Sequence, residues 1–490
     1  MGGGSLTQQG IGAATLTLSG ANTFTGKTAI KNGEILLLGG SLVGRVTIAN
    51  GATLGVNGGS IAGTVTGDGT TGSTLLVSGN YTPSITISNV GTMNITGGTF
   101  TVAKAITGAS SIAIGAGSAL TLNSGGSLTG NISGTGTLTL NTNFMPPGTF
   151  STGTLNVNNN ATFTMNNPIT VTNQLNVNNG GKFNFYDDIS GGGIVTNAGT
   201  ITVLEDPTIT GNFVQNNTGI LNIQLQDYQH FSQIVVTGTT ILNGGTINIS
   251  LPNGSGGILD GEVFNVITSN GGVTNNALPT LVYPSSFLLS FTESVIGNNL
   301  AIKAVRVLLS TIDPNPEWAN LANLLDQLRT VPNSPLTDIF SILDAEVTKT
   351  GVDNILSALA PLDVADEGVL MTTFNQAKLP YNVIGSRLDN YRTGTAYAVA
   401  SNGGVYSKSG YAAGDMLDGY ASYGPMLFGN SIHQKSRNNI IGYSSFTRGF
   451  GIMADAPIGQ FYRVGAAIGY ANSAIKQQDN TGNTTNVNTV

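Results

Sequence analysis

The sequence predicts an all-β protein: a right-handed parallel β-helix, or solenoid, then an α-helical linker and the first strands of a transmembrane β-barrel. Glycine accounts for 69 of 490 residues and charged residues for only 9%, although hydrophobic residues still reach 40%. Short apolar runs separated by Gly- and Asn-rich turns fill residues 1–310. Helical spacing of apolar residues starts only after Leu309, and strict alternation returns near the end of the chain.

Composition and charge exclude several classes of protein. The formal net charge of −7, without a basic stripe, argues against nucleic acid as a partner. The chain has no cysteine, which excludes disulfides, thiolate zinc sites and thiol catalysis. The sequence has no run of about eighteen apolar residues, so it predicts no membrane-spanning helix. We expect no cofactor and no metal site.

A unit of Gly-Thr-apolar-polar-apolar recurs through residues 1–310. The clear copies are Gly136–Leu140, Gly153–Val157, Gly199–Val203 and Gly245–Ile249. Imperfect repeats about 17 to 26 residues apart are typical of a solenoid. We expect about 22 residues per turn and roughly fourteen turns, with Gly and Asn at positive-φ corners. An antiparallel sandwich is the alternative, but hairpin dipeptides such as Asp-Gly are few.

Residues 311–394 form the predicted α-helical linker. Apolar residues recur at helical spacing in two groups: Trp318, Leu321, Leu325 and Leu328, then Leu336, Ile339, Phe340 and Leu343. Further helices are predicted at Val352–Leu359 and at about 365–378. A last helix is predicted at Tyr381–Arg392, before Gly394.

The segment Phe450–Tyr470 predicts a β-hairpin whose two faces differ. Phe450, Ile452 and Ala454 share one face, and Tyr462 to Tyr470 repeats the alternation on the return strand. The other face carries small residues with Asp455 and Arg463 rather than a water-facing set of Lys and Glu. That composition favours a narrow polar lumen and a lipid-facing apolar side, although a soluble hairpin stays open as the alternative.

Three blocks near the C-terminus resemble the first strands of the autotransporter β-domain, the outer-membrane translocator of type V secretion. They are Asp418–Gly424, Gly449–Asp455 and Tyr462–Tyr470. The resemblance implies that residues 395–490 are an incomplete outer-membrane barrel. Its expected partners are outer-membrane lipid and the outer-membrane assembly machinery. Because few barrel strands and no signal peptide are present, we expect the chain to be part of a longer reading frame.

Two further stretches resemble autotransporter passengers. Leu16–Gly26 with Gly33–Leu38 is similar to the passenger-associated transport repeat, and residues 200–309 resemble the C-terminal cap that assists passenger folding. The resemblance implies a passenger at residues 1–310, exposed at the cell surface. It also implies a helix threading the barrel pore. Tyr381–Arg392 is the best candidate for that helix, with Arg387 and Arg392 facing the lumen.

The resemblance also bears on whether the passenger is released. Family members that cleave themselves often do so between two adjacent Asn residues in the pore helix. Asn382 and Asn390 are isolated here. We therefore expect a passenger that stays tethered to the cell.

No catalytic constellation stands out, and we expect no enzyme. Asp187–Asp188 and Glu205–Asp206 are the only adjacent acid pairs of the β block, and adjacent strand residues point to opposite faces. They nevertheless leave a surface polysaccharide hydrolase or lyase as an alternative. His230 and His433 lack ligand or triad neighbours in sequence.

The outward residues of the predicted solenoid are mainly Thr, Asn, Ser and Gly. Rows of amides and hydroxyls can bind a like passenger or a host surface, so adhesion or self-association is the expected activity. A solvated stalk without a ligand, carrying a module located elsewhere, is the remaining alternative.

Overall fold

The computed structural model describes residues 2–312, 319–331, 334–359, 378, 385, 398–399, 405–406, 422–435, 442–458, 462–477 and 484–489. The chain forms two compact units, Met1–Pro314 with Ala322–Ile355, and Asn315–Leu321 with Leu356–Val490. The first unit contains a parallel β-solenoid and the second a four-stranded antiparallel sheet. This confirms the predicted fold class of β-solenoid, short helical segment and C-terminal strands.

The first half of the solenoid consists of short strands. They are β1 (Leu6–Gln9), β2 (Thr15–Leu18), β3 (Thr28–Leu38), β4 (Ser41–Leu42), β5 (Val46–Ile48), β6 (Ala52–Asn57), β7 (Ser60–Ile61), β8 (Val65–Gly67), β9 (Thr74–Val77), β10 (Ile87–Ser88), β11 (Thr92–Ile95), β12 (Thr99–Val102), β13 (Ala105–Thr107), β14 (Ser111–Ile114), β15 (Ala119–Leu122), β16 (Ser127–Leu128), β17 (Asn131–Gly134) and β18 (Thr137–Leu140).

The second half continues the same pattern with several longer strands. They are β19 (Ser151–Val157), β20 (Thr162–Thr164), β21 (Ile169–Val177), β22 (Lys182–Phe185), β23 (Ile189–Ser190), β24 (Ile194–Asn197), β25 (Thr200–Val203), β26 (Thr208–Ile209), β27 (Asn212–Gln215), β28 (Ile220–Asp227), β29 (His230–Phe231), β30 (Ile234–Val236), β31 (Thr240–Asn243), β32 (Thr246–Ser250), β33 (Val263–Ser269), β34 (Val273–Ala277), β35 (Thr280–Val282), β36 (Leu289–Ile296) and β37 (Asn299–Arg306).

Successive turns stack in register, with inward aliphatic residues lying on one another. Leu138 of β18 pairs with Leu155 of β19, which pairs in turn with Leu175 of β21, and all three are fully buried. The intervening Thr and Asn residues point outward. Each inward side chain thus removes its apolar surface from water against the turn below, which stabilises the repeat.

The solenoid has about 11 turns, fewer than the roughly fourteen predicted from the repeat spacing. Side chains that meet across neighbouring turns are 17 to 20 residues apart around Asn158. Near the C-terminal end the separation grows to 27 and then 33 residues, at Asn212 and Asn243. The longer turns contain inserted loops, which consume residues without adding turns.

The repeated Gly-Thr unit marks strands but not a single face. Gly136 precedes β18 and Gly153 lies within β19, two strands of one sheet, whereas Gly199 and Gly245 precede β25 and β32 of another. Gly245 has a positive φ, as predicted. At Gly136, Gly153 and Gly199 the reason for glycine is different, because a Cβ there would collide with a carbonyl oxygen of the preceding turn.

The C-terminal end of the solenoid is closed by antiparallel strands. β37 pairs antiparallel with β33 on one side and with β36 on the other. By contrast, β33 pairs in parallel with β30 of the turn before it. Leu300 and Ile302 of β37 are fully buried against the core.

Four short helices are described after the solenoid: α1 (Leu309–Ile312), α2 (Ala319–Leu328), α3 (Thr337–Asp344) and α4 (Lys349–Leu359). The predicted helical spacing is confirmed at Leu325, Phe340 and Leu343, which are buried. The helices predicted at 365–378 and Tyr381–Arg392 lie outside the described residues. Of the helices that are described, none has the length and apolar character needed to cross a membrane.

The second unit contains β38 (Ala398–Val399), β39 (Val405–Tyr406), β40 (Ser422–Gln434), β41 (Tyr443–Ile458), β42 (Tyr462–Gln477) and β43 (Thr484–Thr489). β40 to β43 form an antiparallel sheet in chain order, which confirms the predicted hairpin and adds a fourth strand. Pro457 and Ile458 pair with Arg463 and Tyr462, so both belong to β41.

Candidate functional site

One outer corner of the solenoid carries a row of asparagines, which we call the amide ladder. Its members are Asn123, Asn141, Asn158 and Asn178, each directly after a strand in one of four successive turns. The side-chain N–H₂ groups of Asn141, Asn158 and Asn178 each donate to the Oδ1 of the ladder member one turn earlier, over 2.7 Å, 2.8 Å and 2.7 Å. Asn141 is exposed and the other three members are half-buried. A ladder bond uses one of the two N–H donors of an amide and one lone pair of its oxygen, so each inner amide can make further hydrogen bonds.

Other Asn side chains bond the backbone of the next turn. The Oδ1 of Asn80, Asn131 and Asn143 accepts from the backbone N–H of Thr99, Thr149 and Thr162, over 2.8 to 3.0 Å. Asn was predicted to supply positive-φ corners, yet among the described residues only Asn89 and Asn160 do so. Most of this amide content therefore acts through side-chain hydrogen bonds rather than through backbone conformation.

The two predicted acid pairs lie at one corner, in neighbouring turns. Asp187 and Asp188 separate β22 from β23, and Glu205 and Asp206 separate β25 from β26, which stack on them. Asp188 accepts from the backbone N–H of Thr208 over 2.7 Å, and Asp206 accepts from that of Gln233 over 3.1 Å. These two acids therefore have the capping role that Asn has at other corners.

An inserted hairpin extends the same corner into the next turn. β28 turns back at Asp227 and pairs with β29, and the Asp227 carboxylate accepts from the backbone N–H of Gln229 and His230. His230 Nδ1 lies 2.9 Å from both Asp227 oxygens. Sequence reasoning found no partner for His230. The Asp-x-x-His spacing at a turn was the signal that could have identified Asp227.

A cleft of about 230 Å³ lies between this hairpin and the loop that follows β32. Its walls include Gln226, Asp227, Tyr228, Gln229, Asn253, Gly257, Leu259, Glu262 and Thr337. Asn253 donates to Gln226 over 2.9 Å, and the Tyr228 ring is exposed. Amides, carboxylates and an exposed aromatic ring can hydrogen-bond and stack against a small polar ligand such as a sugar.

The two carboxylates of the cleft have opposite pKa shifts. Burial raises the pKa of Glu262, against the hydrogen bond from the Leu259 backbone, and the negative charge of Asp227 adds to the rise. Burial also acts on Asp227, but hydrogen bonds from His230 and Gln229 outweigh it and lower the pKa of Asp227. Such a pair can in principle divide acid and base roles. However, Glu262 Oε1 is buried, with no hydrogen-bond partner in the described part of the chain.

A second polar cluster lies where α2 and α3 meet the closed end of the solenoid. Asp344 is 3% exposed and accepts from Arg306, the last residue of β37, over 2.6 and 2.7 Å. Arg329 donates to the same carboxylate over 3.1 Å, and Ser255 Oγ over 2.6 Å. We call these four residues the arginine clamp.

In the second unit, one face of the β40–β42 sheet is apolar and exposed, and we call it the apolar face. The exposed fraction of Leu427 is 82%, of Tyr462 72% and of Ile468 70%. The apolar face also includes Tyr423, Phe446, Phe450, Ile452, Ile458, Val464 and Tyr470. On the opposite face, the hydroxyls of Thr447 and Ser473 are buried and hydrogen-bond each other over 2.5 Å. The alternation predicted from the sequence is confirmed.

Nothing among the described side chains assembles a metal centre. Within the ranges that the structure describes, no three His, Cys, Asp or Glu side chains are grouped to hold an ion. His433 lies in β40 opposite Ser444 of β41.

Residues 11–37 match the family model of the passenger-associated transport repeat. The match covers β2 and most of β3, where Leu16 and Leu18 pair with Ile35 and Leu37 of the next turn. No curated protein matches the chain. The predicted resemblance of the first turns is therefore confirmed, and the repeat together with the solenoid fits an autotransporter passenger. Passengers with this repeat are secreted to the cell surface, which the match suggests for this chain.

Proposed function

We propose that the chain is part of an autotransporter whose solenoid is held at the cell surface and acts in adhesion or self-association. Residues 395–490 contribute strands to an outer-membrane barrel that translocates the solenoid. The partners are outer-membrane lipid, the outer-membrane assembly machinery, and a host surface or a like passenger. This first proposal includes no nucleic-acid partner and no enzymatic activity of the solenoid.

The amide ladder carries the adhesive part of this proposal. Asn141 and Asn158 repeat the same donor and acceptor groups at the spacing of neighbouring β-strands, about 4.8 Å. A second rod, or a polar glycan, can hydrogen-bond to several turns at once. Many weak, identical contacts give high avidity when they are made together.

The apolar face supports the membrane part. Soluble sheets bury such a face, and an exposed contiguous apolar patch marks an interaction with lipid or protein. Tyr462 and Tyr470 lie at the two ends of one stretch of β42, about the length that a tilted transmembrane strand needs. Rings at these positions suit the two membrane interfaces.

The test uses cells that produce the protein, with surface display verified by protease shaving. We expect the cells to settle or to adhere to host cells, and we expect this to be lost when Asn123, Asn141, Asn158 and Asn178 are all changed to Ser. Ser keeps a hydrogen-bonding group but cannot span the gap between turns. In the matched control, the same change to Ser is made at Asn80, Asn131, Asn143 and Asn212, whose side chains bond to the backbone of the next turn. Cells that display the intact solenoid but neither settle nor adhere would rule out adhesion and leave the stalk and the polysaccharide hydrolase as alternatives.

The opposite pKa shifts of Asp227 and Glu262 favour polysaccharide hydrolysis as the second candidate function. Its test is release of reducing ends from purified surface polysaccharides, comparing the natural chain with Asp227→Asn and Glu262→Gln. Asp187→Asn and Glu205→Gln test the acids predicted from sequence. An enzyme would lose turnover with one of these pairs, whereas an adhesin would release no sugar to begin with.

A further inference from the structure

The arginine clamp joins a strand of the solenoid to a helix of the segment that follows it. Arg306 ends β37, and its Nη1 contacts both oxygens of Asp344 at the end of α3. Its Nε and Nη2 donate to the carbonyl oxygens of Ile258 and Ser255, over 2.9 and 2.8 Å. The guanidinium is therefore satisfied only when α3 and the loop after β32 are both in place.

Because these side chains are buried, each charge needs its partner. The exposed fractions of the Arg306 and Asp344 side chains are 3% and 2%, and that of Arg329 is 7%. Removing one partner of a buried ion pair leaves an uncompensated charge in a low-dielectric interior, which is strongly destabilising. The closed end of the solenoid cannot keep Arg306 buried without Asp344.

Contacts outside the clamp fix α3 to the same end. The backbone N–H of Gly256 donates to Ser341 Oγ over 2.9 Å, and that of Phe287 donates to the Glu346 carbonyl over 2.7 Å. A Cβ at Gly256 would collide with the Thr337 carbonyl, so the loop and the helix approach as closely as glycine allows. These contacts bring three separate parts of the chain together around α3.

We infer that the helical segment up to Ile355 is an integral cap of the solenoid, is exported with it, and folds outside the cell. This inference rests on the proposed function. Since Asp344 and Arg306 share one buried site, they end on the same side of the membrane. The segment that threads the barrel pore therefore begins after Ile355, and Ala322–Ile355 belongs to the passenger rather than to the linker.

The absence of cysteine allows a direct test. Ile342 lies in α3 and is 58% exposed. Ile342→Cys is compared with Asn179→Cys, at an exposed turn of the solenoid, in intact cells treated with a polymer-linked maleimide too large to enter a pore. We expect equal labelling at both positions. Labelling of Asn179→Cys together with protection of Ile342→Cys until the outer membrane is permeabilised would overturn the inference. No labelling at either position would instead refute surface display.

A second variant tests the clamp itself. Asp344→Ala is compared with Asp338→Ala, an exposed acid of the same helix, by limited proteolysis of the full chain. We expect Asp344→Ala to expose the 307–336 segment to cleavage about tenfold faster or more, since cleavage follows the population of the open form. Asp338→Ala should behave like the natural chain. Equal, slow cleavage in all three would show that α3 does not depend on the clamp, and would contradict the inference.

Discussion

The solenoid and the β40–β43 sheet have the same alternation of residues but opposite relations to solvent. Leu138 and Leu155 of the solenoid are fully buried, whereas Phe450, Ile452 and Ile468 of the sheet are 61%, 64% and 70% exposed. In both regions every second residue is apolar. The difference lies in what the apolar face meets: another turn of the same chain in one region, and no described part of the chain in the other.

This comparison shows that a period of two identifies two unlike faces without saying which medium each one faces. The composition of the other face carries that information. In the solenoid it is Thr and Asn, whose hydrogen bonds continue from turn to turn. In the sheet, around Gly451 and Gly465, it is small residues. Small residues leave space for a narrow polar interior, and rows of Thr and Asn suit contact with water.

The largest difference between the two regions is expected when one aromatic side chain is removed from each. Phe183 is fully buried, with its ring centroid 5.6 Å from that of Phe163 and 5.0 Å from that of Phe185. We expect Phe183→Ala to lower the free energy of unfolding of the solenoid by about 3–5 kcal/mol, through lost burial and a cavity. Phe450→Ala should leave solenoid unfolding unchanged. Urea unfolding followed by circular dichroism measures both, and equal losses would contradict the assignment of the two faces.

A charge placed on either side of the sheet tests the membrane half of the comparison. Ile452→Arg puts a guanidinium on the apolar face and should cost about 2–4 kcal/mol of insertion free energy near the bilayer midplane. Met453→Arg, one residue later on the opposite face, should be tolerated far better. The membrane-inserted fraction of each variant, measured after carbonate extraction, decides between them. If the two variants insert equally well, the apolar face does not face lipid.

A smaller loss of stability is expected when a member of the amide ladder, at the surface of the solenoid, is replaced. Asn158 donates to Asn141 and accepts from Asn178, so Asn158→Ala removes two side-chain hydrogen bonds. Because the row is partly open to water, we expect a loss of only ~1 kcal/mol in thermal or urea unfolding. Asn179→Ala, at the next position along the chain from Asn178, is the matched control. A loss as large as that of Phe183→Ala would mean that the ladder, rather than the apolar interior, holds the turns together.

The smallest effect is expected at Glu262, a half-buried carboxylate in the wall of the cleft. Burial raises its pKa above the ordinary 4.5, so the protonated form favours the folded state. Its stabilising contribution is present below pH 4.5 and is lost as the pH rises through the higher pKa of the folded state. Glu262→Gln should therefore raise the unfolding temperature slightly at neutral pH and not below pH 4.5. A higher unfolding temperature of Glu262→Gln only at acid pH would contradict this prediction.

Much of the fold was predictable because the inward pattern is local. The copies at Gly136 and Gly199 identify strands from five residues each, and the C-terminal hairpin follows from alternation alone. The number of turns was not predictable. Inserted loops such as the hairpin at Asp227 lengthen a turn without changing the strands on either side, so the mean spacing changes along the chain.

The polar sites were harder to predict because their members are far apart in sequence. Arg306 meets Asp344 only after a helix folds back, and no periodic signal connects the two. The acid pairs illustrate the opposite problem. Asp188 and Asp206 looked like catalytic candidates because acids are rare here, but each accepts a backbone N–H as Asn does at other corners. The rarity of acids drew attention to this corner, but it did not reveal that both carboxylates cap the backbone of the next turn.

The antiparallel strand that closes the solenoid limits growth. β33 would otherwise present an open parallel edge, onto which the first turn of another molecule could add, as monomers add to a growing filament. β37 occupies that edge with the reverse chain direction, and β36 covers β37 in turn. At β33, a parallel strand of a second molecule therefore finds no free edge to pair with. A second molecule cannot extend the solenoid by adding a parallel strand to β33, so this edge is closed to elongation.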